Sequence, residues 1–314
     1  MPILGIDLGA TKLAIALFTE AGKLVSREVV PLANRKSSAV AELINSQVEK
    51  YLSRAAIESI GISVPGISRR ATGTVWAPNI EGWEDYPLLQ EIKTLANEIP
   101  VAIDNDRACS ILGEQWQGTA IASKDAIFLA VGTGIGAGII TDGKLLRGHN
   151  DIAGAIGWMA LSTPFDKKYI SCGCFEYYAS GAGIAKYARE ILNVDPSGSV
   201  LRVHPPEEIK AHHVFNAYEE QDPIASIILR ECITYWGMAA ANLVSIFNPE
   251  KIIFGGGIFG PAVKFIDEIK IEATKWAQPL SIRQVNFEAS KLGSDAAVYG
   301  SAFLALKNRD THSQ

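Results

Sequence analysis

The hydrophobic pattern opens with strands. Residues 3–9 read ILGIDLG, a β-branched and leucine run broken by Gly5 and Gly9. KLAIALFTEAGKLVSREVV then predicts strand, turn at Glu20-Ala21-Gly22, and strand. AVAELINSQVEKYLS carries apolar residues at amphipathic-helix spacing. IESIGISVPG predicts a short strand entering a Pro-Gly turn, and PVAIDND a strand ending in polar residues. RACSILGEQWQG predicts the helix after it, stopping at Gly118.

The pattern then restarts. AIFLAVGTGIGAGIITDGKLLRG predicts strand, glycine-rich turn, strand, tight turn at Asp142-Gly143, and strand. EAGKLVSR and TDGKLLRG take equivalent places after the two glycine loops, which suggests two related lobes, each opening on a β-hairpin. Helices are predicted around 176–193 and 222–246. A buried strand in KIIFGGG follows, then a helix from about Ala262 and a last helix around SDAAVYGSAFLALKN. RDTHSQ predicts a frayed tail. The alternation makes the chain α/β. Its 314 residues exceed the usual single domain. The expected division is 1–118 and 119–314, with the last helix packing back on the first lobe.

Composition narrows the function. The formal charge of −5 leaves no basic face for nucleic acid or an anionic membrane. No apolar run reaches the roughly 18 residues of a membrane helix. MPILGIDLGA enters a strand directly, without a signal-like region, so a cytoplasmic location is expected. Of Cys109, Cys172, Cys174 and Cys232, only Cys172-Gly-Cys174 forms a cluster. None of the five histidines (149, 204, 212, 213 and 312) complements it at a recognised ligand spacing, so reduced thiols are expected.

Three glycine turns and one acid carry candidate chemistry. Asp7-Leu8-Gly9-Ala10-Thr11-Lys12 joins the strands of the first hairpin, and Gly132-Thr133-Gly134-Ile135-Gly136-Ala137-Gly138 those of the second. Glycine lets backbone N–H groups approach an anion, and threonine adds a donor. Each loop alone is as readily a plain β-turn. Two at equivalent places fit a nucleotide-phosphate clamp. Gly255-Gly256-Gly257 suits either a flat ligand against backbone or a close helix–strand contact. Asn105-Asp106 joins a strand to a helix, where a carboxylate can deprotonate an attacking hydroxyl or simply act as an N-cap.

Together these motifs resemble the sugar kinases of the actin, hexokinase and Hsp70 superfamily, and among them the ROK family. The likeness runs through GIDLGATKLAIAL, SVPG, DNDRACSILGE, VGTGIGAGII, CFEYYASG, FNPEKIIFGGG and LGSDAAVYGSAFLA. It implies a two-lobed ribonuclease H-like (actin-like ATPase/hexokinase) fold with an internally duplicated β-sheet core. It also implies ATP and Mg²⁺, a homodimer, Asp106 as general base, and Asn105 and Glu176 on sugar hydroxyls. Gly66 and Asn79 would lie in sugar-side loops. Asp7, Gly9, Thr11, Lys12, Gly132, Thr133, Gly134 and Gly255–Gly257 would serve the nucleotide, with Asp7 placing the metal through water.

One segment departs from the family. Gly-Glu-Ile-Gly-His is here Gly154-Ala155-Ile156-Gly157-Trp158, within DIAGAIGWMAL. The cysteine segment shortens to Ser171-Cys172-Gly173-Cys174, so no family-type zinc site is expected. The resemblance implies that two polar contacts to the C1–C3 side of a pyranose are lost, and an indole is added. A substrate altered at C1–C3, an amino or deoxy sugar, or a cyclitol is therefore expected. Trp158 either lines the pocket or fills the volume that histidine and zinc would take. His149, Asn150 and Asp151 are candidate replacement contacts. The alternatives are a glucokinase- or fructokinase-type enzyme of ordinary specificity, a pseudokinase, and a sugar sensor. Asp7 lies so near the start that no DNA-binding domain ahead of the fold is expected.

Overall fold

The computed structural model describes residues 2–312. In chain order the first elements are β1 (Ile3–Leu8), β2 (Lys12–Phe18), β3 (Leu24–Pro31), α1 (Ser38–Leu52), β4 (Ser59–Val64) and β5 (Ile67–Arg69). Then come β6 (Thr74–Trp76), α2 (Leu88–Ala96), β7 (Val101–Asn105) and α3 (Asp106–Gln117). The pattern restarts with β8 (Ala126–Val131), β9 (Ile135–Thr141), β10 (Lys144–Leu145), α4 (Cys174–Ala179), α5 (Gly181–Val194) and α6 (Ala211–Glu219). It closes with α7 (Pro223–Phe247), β11 (Lys251–Gly255), α8 (Ile266–Thr274), α9 (Ser281–Gln284), β12 (Asn286–Ala289) and α10 (Ala296–His312).

Two compact units emerge, and they are not consecutive segments. The first comprises Met1–Ala122, Leu145–Ala153 and Ser294–Gln314; the second comprises Ser123–Lys144 and Gly154–Gly293. This differs from a single boundary at 118/119. Leu145–Ala153 clusters with the first unit, where two ion pairs fasten it: Arg147 to Asp104, and Arg70 to Asp151.

The sheets repeat one plan. The first has strand order β3-β2-β1-β4-β7, antiparallel across the hairpin and parallel beyond β1. The second has order β10-β9-β8-β11-β12, antiparallel between β8 and β9 and parallel through β11 and β12. The duplication read from two short phrases thus extends to five strands on each side. At Asp142-Gly143 both φ values are positive, 49° and 72°, as a two-residue hairpin turn requires.

In the first unit, β1, β4 and α3 support α10 at backbone contact. A Cβ on Gly61 would lie 1.8 Å from the Ser301 carbonyl oxygen, and one on Gly300 would lie 1.6 Å from that of Cys109. Gly5 does not break β1 as its sequence suggested. It is part of this seat, where a Cβ would meet the Val298 carbonyl at 2.6 Å. The tail also differs from expectation: α10 runs through His312, and Arg309 pairs with Glu20 at 2.7 Å and Glu58 at 2.6 Å. Ser313 and Gln314 lie outside the described residues.

In the second unit the helix expected over 176–193 is two helices. Ser180 is extended (φ −84°, ψ 167°) and its hydroxyl accepts from Gly183 N at 3.0 Å, capping α5. The break turns Gly181 N and Ala182 N onto the carbonyls of Gly132 and Thr133, at 2.8 and 3.2 Å. The helix expected from about Ala262 begins as a 3₁₀ turn, Pro261–Phe265, before α8.

Substituting Gly300→Ala should destabilise the protein by about 1–3 kcal/mol, because neither α3 nor α10 can withdraw without opening the core. Denaturant unfolding followed by far-UV circular dichroism reads this; an unchanged midpoint would show that the crossing is looser than described.

Candidate active site

The acid-bearing end of the first unit is set by the strand-to-helix joint at Asn105. Asn105 is 7% exposed and is the N-cap of α3: its Oδ1 accepts from Ala108 N at 2.9 Å. Its Nδ2 donates to Asp104 Oδ1 at 3.1 Å, and its backbone N donates to the same oxygen at 2.8 Å. Asp104 is buried, and the Arg147 guanidinium holds its other oxygen. Burial raises the Asp104 pKa, and Arg147 draws it back down.

Because Asn105 takes the cap, Asp106 does not need to. The N-cap alternative for Asp106 is thereby corrected: it is the first residue of α3, and its Oδ1 accepts from Arg107 N at 2.9 Å. The surrounding protein displaces enough water to raise its pKa above the ordinary aspartate value, against the pull of Arg107. Half of its side-chain surface nevertheless stays open. A carboxylate with a raised pKa at a helix start is a competent proton acceptor near neutral pH. Arg107 Nη2 also donates to the Gly66 carbonyl at 3.3 Å, tying the turn after β4 to the start of α3. Gly66 has φ +89° and faces the Trp76 carbonyl, which a Cβ would meet at 2.1 Å. Asn79 is exposed in the turn after β6.

Asp7, near the end of β1, accepts from Ser63 Oγ at 2.7 Å. Burial raises its pKa to about 6; Ser63 and Lys12 oppose the rise, while Asp106 and Asp295 add to it. The loop beyond is closed by Gly9 N donating to Lys12 O at 2.9 Å, and Thr11 and Lys12 are exposed.

In the second unit the matching loop is closed by Gly132 N donating to Gly134 O at 2.9 Å. Its geometry is set by Glu176 on α4, whose Oε2 accepts from Ile135 N at 2.6 Å. A Cβ on Gly134 would lie 2.7 Å from that oxygen. The loop–Glu176 contact links the second phosphate motif to a predicted sugar ligand, and no spacing in the sequence announced it. The three glycines that end and follow β11 divide. A Cβ on Gly255 would strike the Phe128 ring and one on Gly256 the Val131 carbonyl, so these two serve close packing. Gly257 has nothing within 4 Å, as does Gly132, and both leave room for a ligand against backbone.

The departing segment forms a 3₁₀ turn, Ile156–Trp158. Gly154 O accepts from Ala137 N at 2.8 Å, fixing the turn to β9. Trp158 is 58% exposed, so it does not fill a vacated interior volume. Asp151 is committed to Arg70 at 2.6 Å, which corrects its candidacy as a replacement contact; His149 and Asn150 are exposed. All four cysteines are free thiols. Among the described residues no three His, Cys, Asp or Glu side chains are grouped to hold a metal ion, and no helix is long and apolar enough to cross a membrane.

Two sheets of one plan, each with a glycine loop at the same hairpin joint, define the ribonuclease H-like fold of actin-like ATPases and hexokinases. The ROK family model matches residues 3–308, and the chain belongs to that family. It is 31% identical to a glucokinase of Halalkalibacterium halodurans, over 98% of this chain and 96% of that protein. It is 30% identical to a xylose repressor of Caldicellulosiruptor bescii, over 98% of this chain and 78% of the repressor. The crystal structure of a ROK family glucokinase from Streptomyces griseus in complex with glucose and AMPPNP superposes with a TM-score of 0.80 at 28% identity. That match covers 98% of this chain and 100% of the glucokinase.

Asp7 generates a prediction of its own. A carboxyl raised in the folded state binds more protons folded than unfolded between pH 3.8 and about 6, so it lowers stability as pH rises through that window. Asp7→Asn, without added metal, should match the native chain in Tm near pH 4 and gain progressively to a plateau above pH 6. Thermal unfolding across pH reads this, and a pH-independent difference would contradict it.

Proposed function

We propose that this carbohydrate kinase transfers the terminal phosphate of ATP to a hydroxyl, most simply a primary one, of a hexose-like ring, with Asp106 as general base. The observation that carries the proposal is the division of labour at the β7–α3 joint. Asn105 caps the helix and leaves the Asp106 carboxylate half open, with its pKa raised. Asp106 takes the acceptor's proton as its oxygen attacks phosphorus, and the phosphorus–oxygen bond to ADP breaks. Glu176 and Asn105 orient acceptor hydroxyls. Gly66 and Asn79 supply the turns on the acceptor side.

The loops at Gly9, Thr11 and Lys12 and at Gly132, Thr133 and Gly134 offer backbone and hydroxyl donors to phosphates, and the open face of Gly257 suits the adenosine. Asp7 provides a hard carboxylate oxygen with Asp106 as a neighbouring charge, a donor set that suits Mg²⁺ held through water. When bound, the ion would neutralise charge on the phosphates. The same reading places the enzyme in the cytoplasm as a homodimer.

The acceptor we infer is altered at C1–C3, or is a cyclitol. The segment that would read those carbons carries Ala155 and an exposed indole, on which ring C–H groups can lie. The relatives named glucokinase favour a second reading, an enzyme of ordinary hexose specificity. The xylose repressor favours a third, a sugar sensor.

A coupled ADP-release screen across hexoses, amino sugars, deoxy sugars and cyclitols separates the readings. The expected outcome is Mg²⁺-dependent turnover, with kcat/KM highest for an altered ring. Glucose or mannose as the best acceptor would refute the substrate reading, and ADP release with no acceptor at all would refute the kinase.

A further inference from the structure

The short helix that carries Glu176 has no means of holding itself. Six residues make less than two turns, far below what forms alone in water. On its inner side α4 is anchored by α7. Trp236 Nε1 donates to Ala179 O at 3.1 Å, and Tyr178 stacks on Tyr235 with centroids 4.7 Å apart and rings 9° from parallel. Its outer side faces the 3₁₀ turn Lys167–Ser171.

From that turn the Lys168 ammonium lies over three tyrosine rings. Its Nζ is 4.9 Å from the Tyr177 centroid, 5.0 Å from Tyr178 and 5.7 Å from Tyr169. It also pairs with Glu190 of α5 at 3.7 Å and Asp166 at 3.9 Å, and the Tyr177 hydroxyl donates to Glu190. Tyr169 and Tyr178 share a hydrogen bond at 3.0 Å. One cation therefore joins the turn, α4 and α5. The side chain is only 28% exposed, so its attraction to the rings is little screened.

The bound helix end is fitted to two other segments. Gly173 N donates to Tyr169 O at 2.8 Å, and a Cβ on Gly173 would come within 2.4 Å of Gly157 O and 2.6 Å of Trp158 Cα. A Cβ on Gly157 would lie 3.0 Å from Glu176 Oε2. The turn that presents Trp158 and the loop at Ile135 are both referenced to the position of α4.

We propose that Lys168 is a positioning residue, whose ammonium, caged by Tyr169, Tyr177 and Tyr178 and paired with Glu190, fixes α4 and so aims the Glu176 carboxylate. The inference deepens the kinase reading and rests on it for the kinetics, but its structural arm does not. Successive residues on a helix are turned about 100° apart, so the residue Lys168 serves and the residues it touches lie on different faces.

The test is a cycle of Lys168→Met, Lys168→Arg and Glu176→Gln, with amide exchange of residues 132–138 read by mass spectrometry. Lys168→Met keeps the stem and removes the charge. It should speed exchange at Ile135 about tenfold and lower kcat/KM for the acceptor about five- to thirtyfold, at a temperature where all variants are folded. Lys168→Arg should restore both. In the Glu176→Gln background Lys168→Met should cost less than about twofold more. Unchanged exchange at Ile135, or an equal further loss without Glu176, would overturn the proposal. An inactive native protein that still shows the exchange difference would instead count against the kinase reading and leave the clamp standing.

Discussion

The first unit depends on one hydrogen bond, from Ala108 N to Asn105 Oδ1. A helix start leaves backbone donors unsatisfied, and some side chain at the strand end must take one. Had Asp106 taken it, the acid would be a structural group with a lowered proton affinity. Asn105 takes it instead and is itself held by Asp104, which Arg147 compensates. Three consecutive polar residues thus divide into a buried counterion, a cap and a half-open acid. Breaking the buried Asp104–Arg147 pair from either side would leave an uncompensated charge and loosen the cap together.

The second unit solves a parallel problem by different means. Its glycine loop is anchored by Glu176 and by the start of α5, made possible by the break at Ser180. The carboxylate there serves structure, accepting from Ile135 N and so tying the loop to α4. The same helix underlies the turn bearing Ala155 and Trp158.

Much of this was legible in the chain. Hairpins joined by glycine loops, the strand ending at Asn105 and the long α7 announce themselves through alternation, turn residues and caps. What escaped was set by distance. Arg147 meets Asp104 across 43 positions, and Glu176 meets Ile135 across 41. Gly5 read as an interruption because its reason, the backbone of α10, lies almost the whole chain away. The break at Ser180 had a local signal in Ser-Gly-Ala-Gly, outweighed by continuous apolar spacing on either side. The exposure of Trp158 had no local signal at all, since nothing in a sequence tells a filling indole from an outward one.

The central claim is that Asp106, relieved of capping by Asn105, is the proton acceptor in phosphate transfer. Asp106→Asn tests it most directly, because asparagine keeps size and helix start while removing basicity. Measured with the best acceptor alongside nucleotide titration, kcat should fall by about 10²–10⁴-fold while ATP affinity stays within about twofold. A variant that retained native kcat, or that lost turnover only through lost ATP binding, would contradict the account.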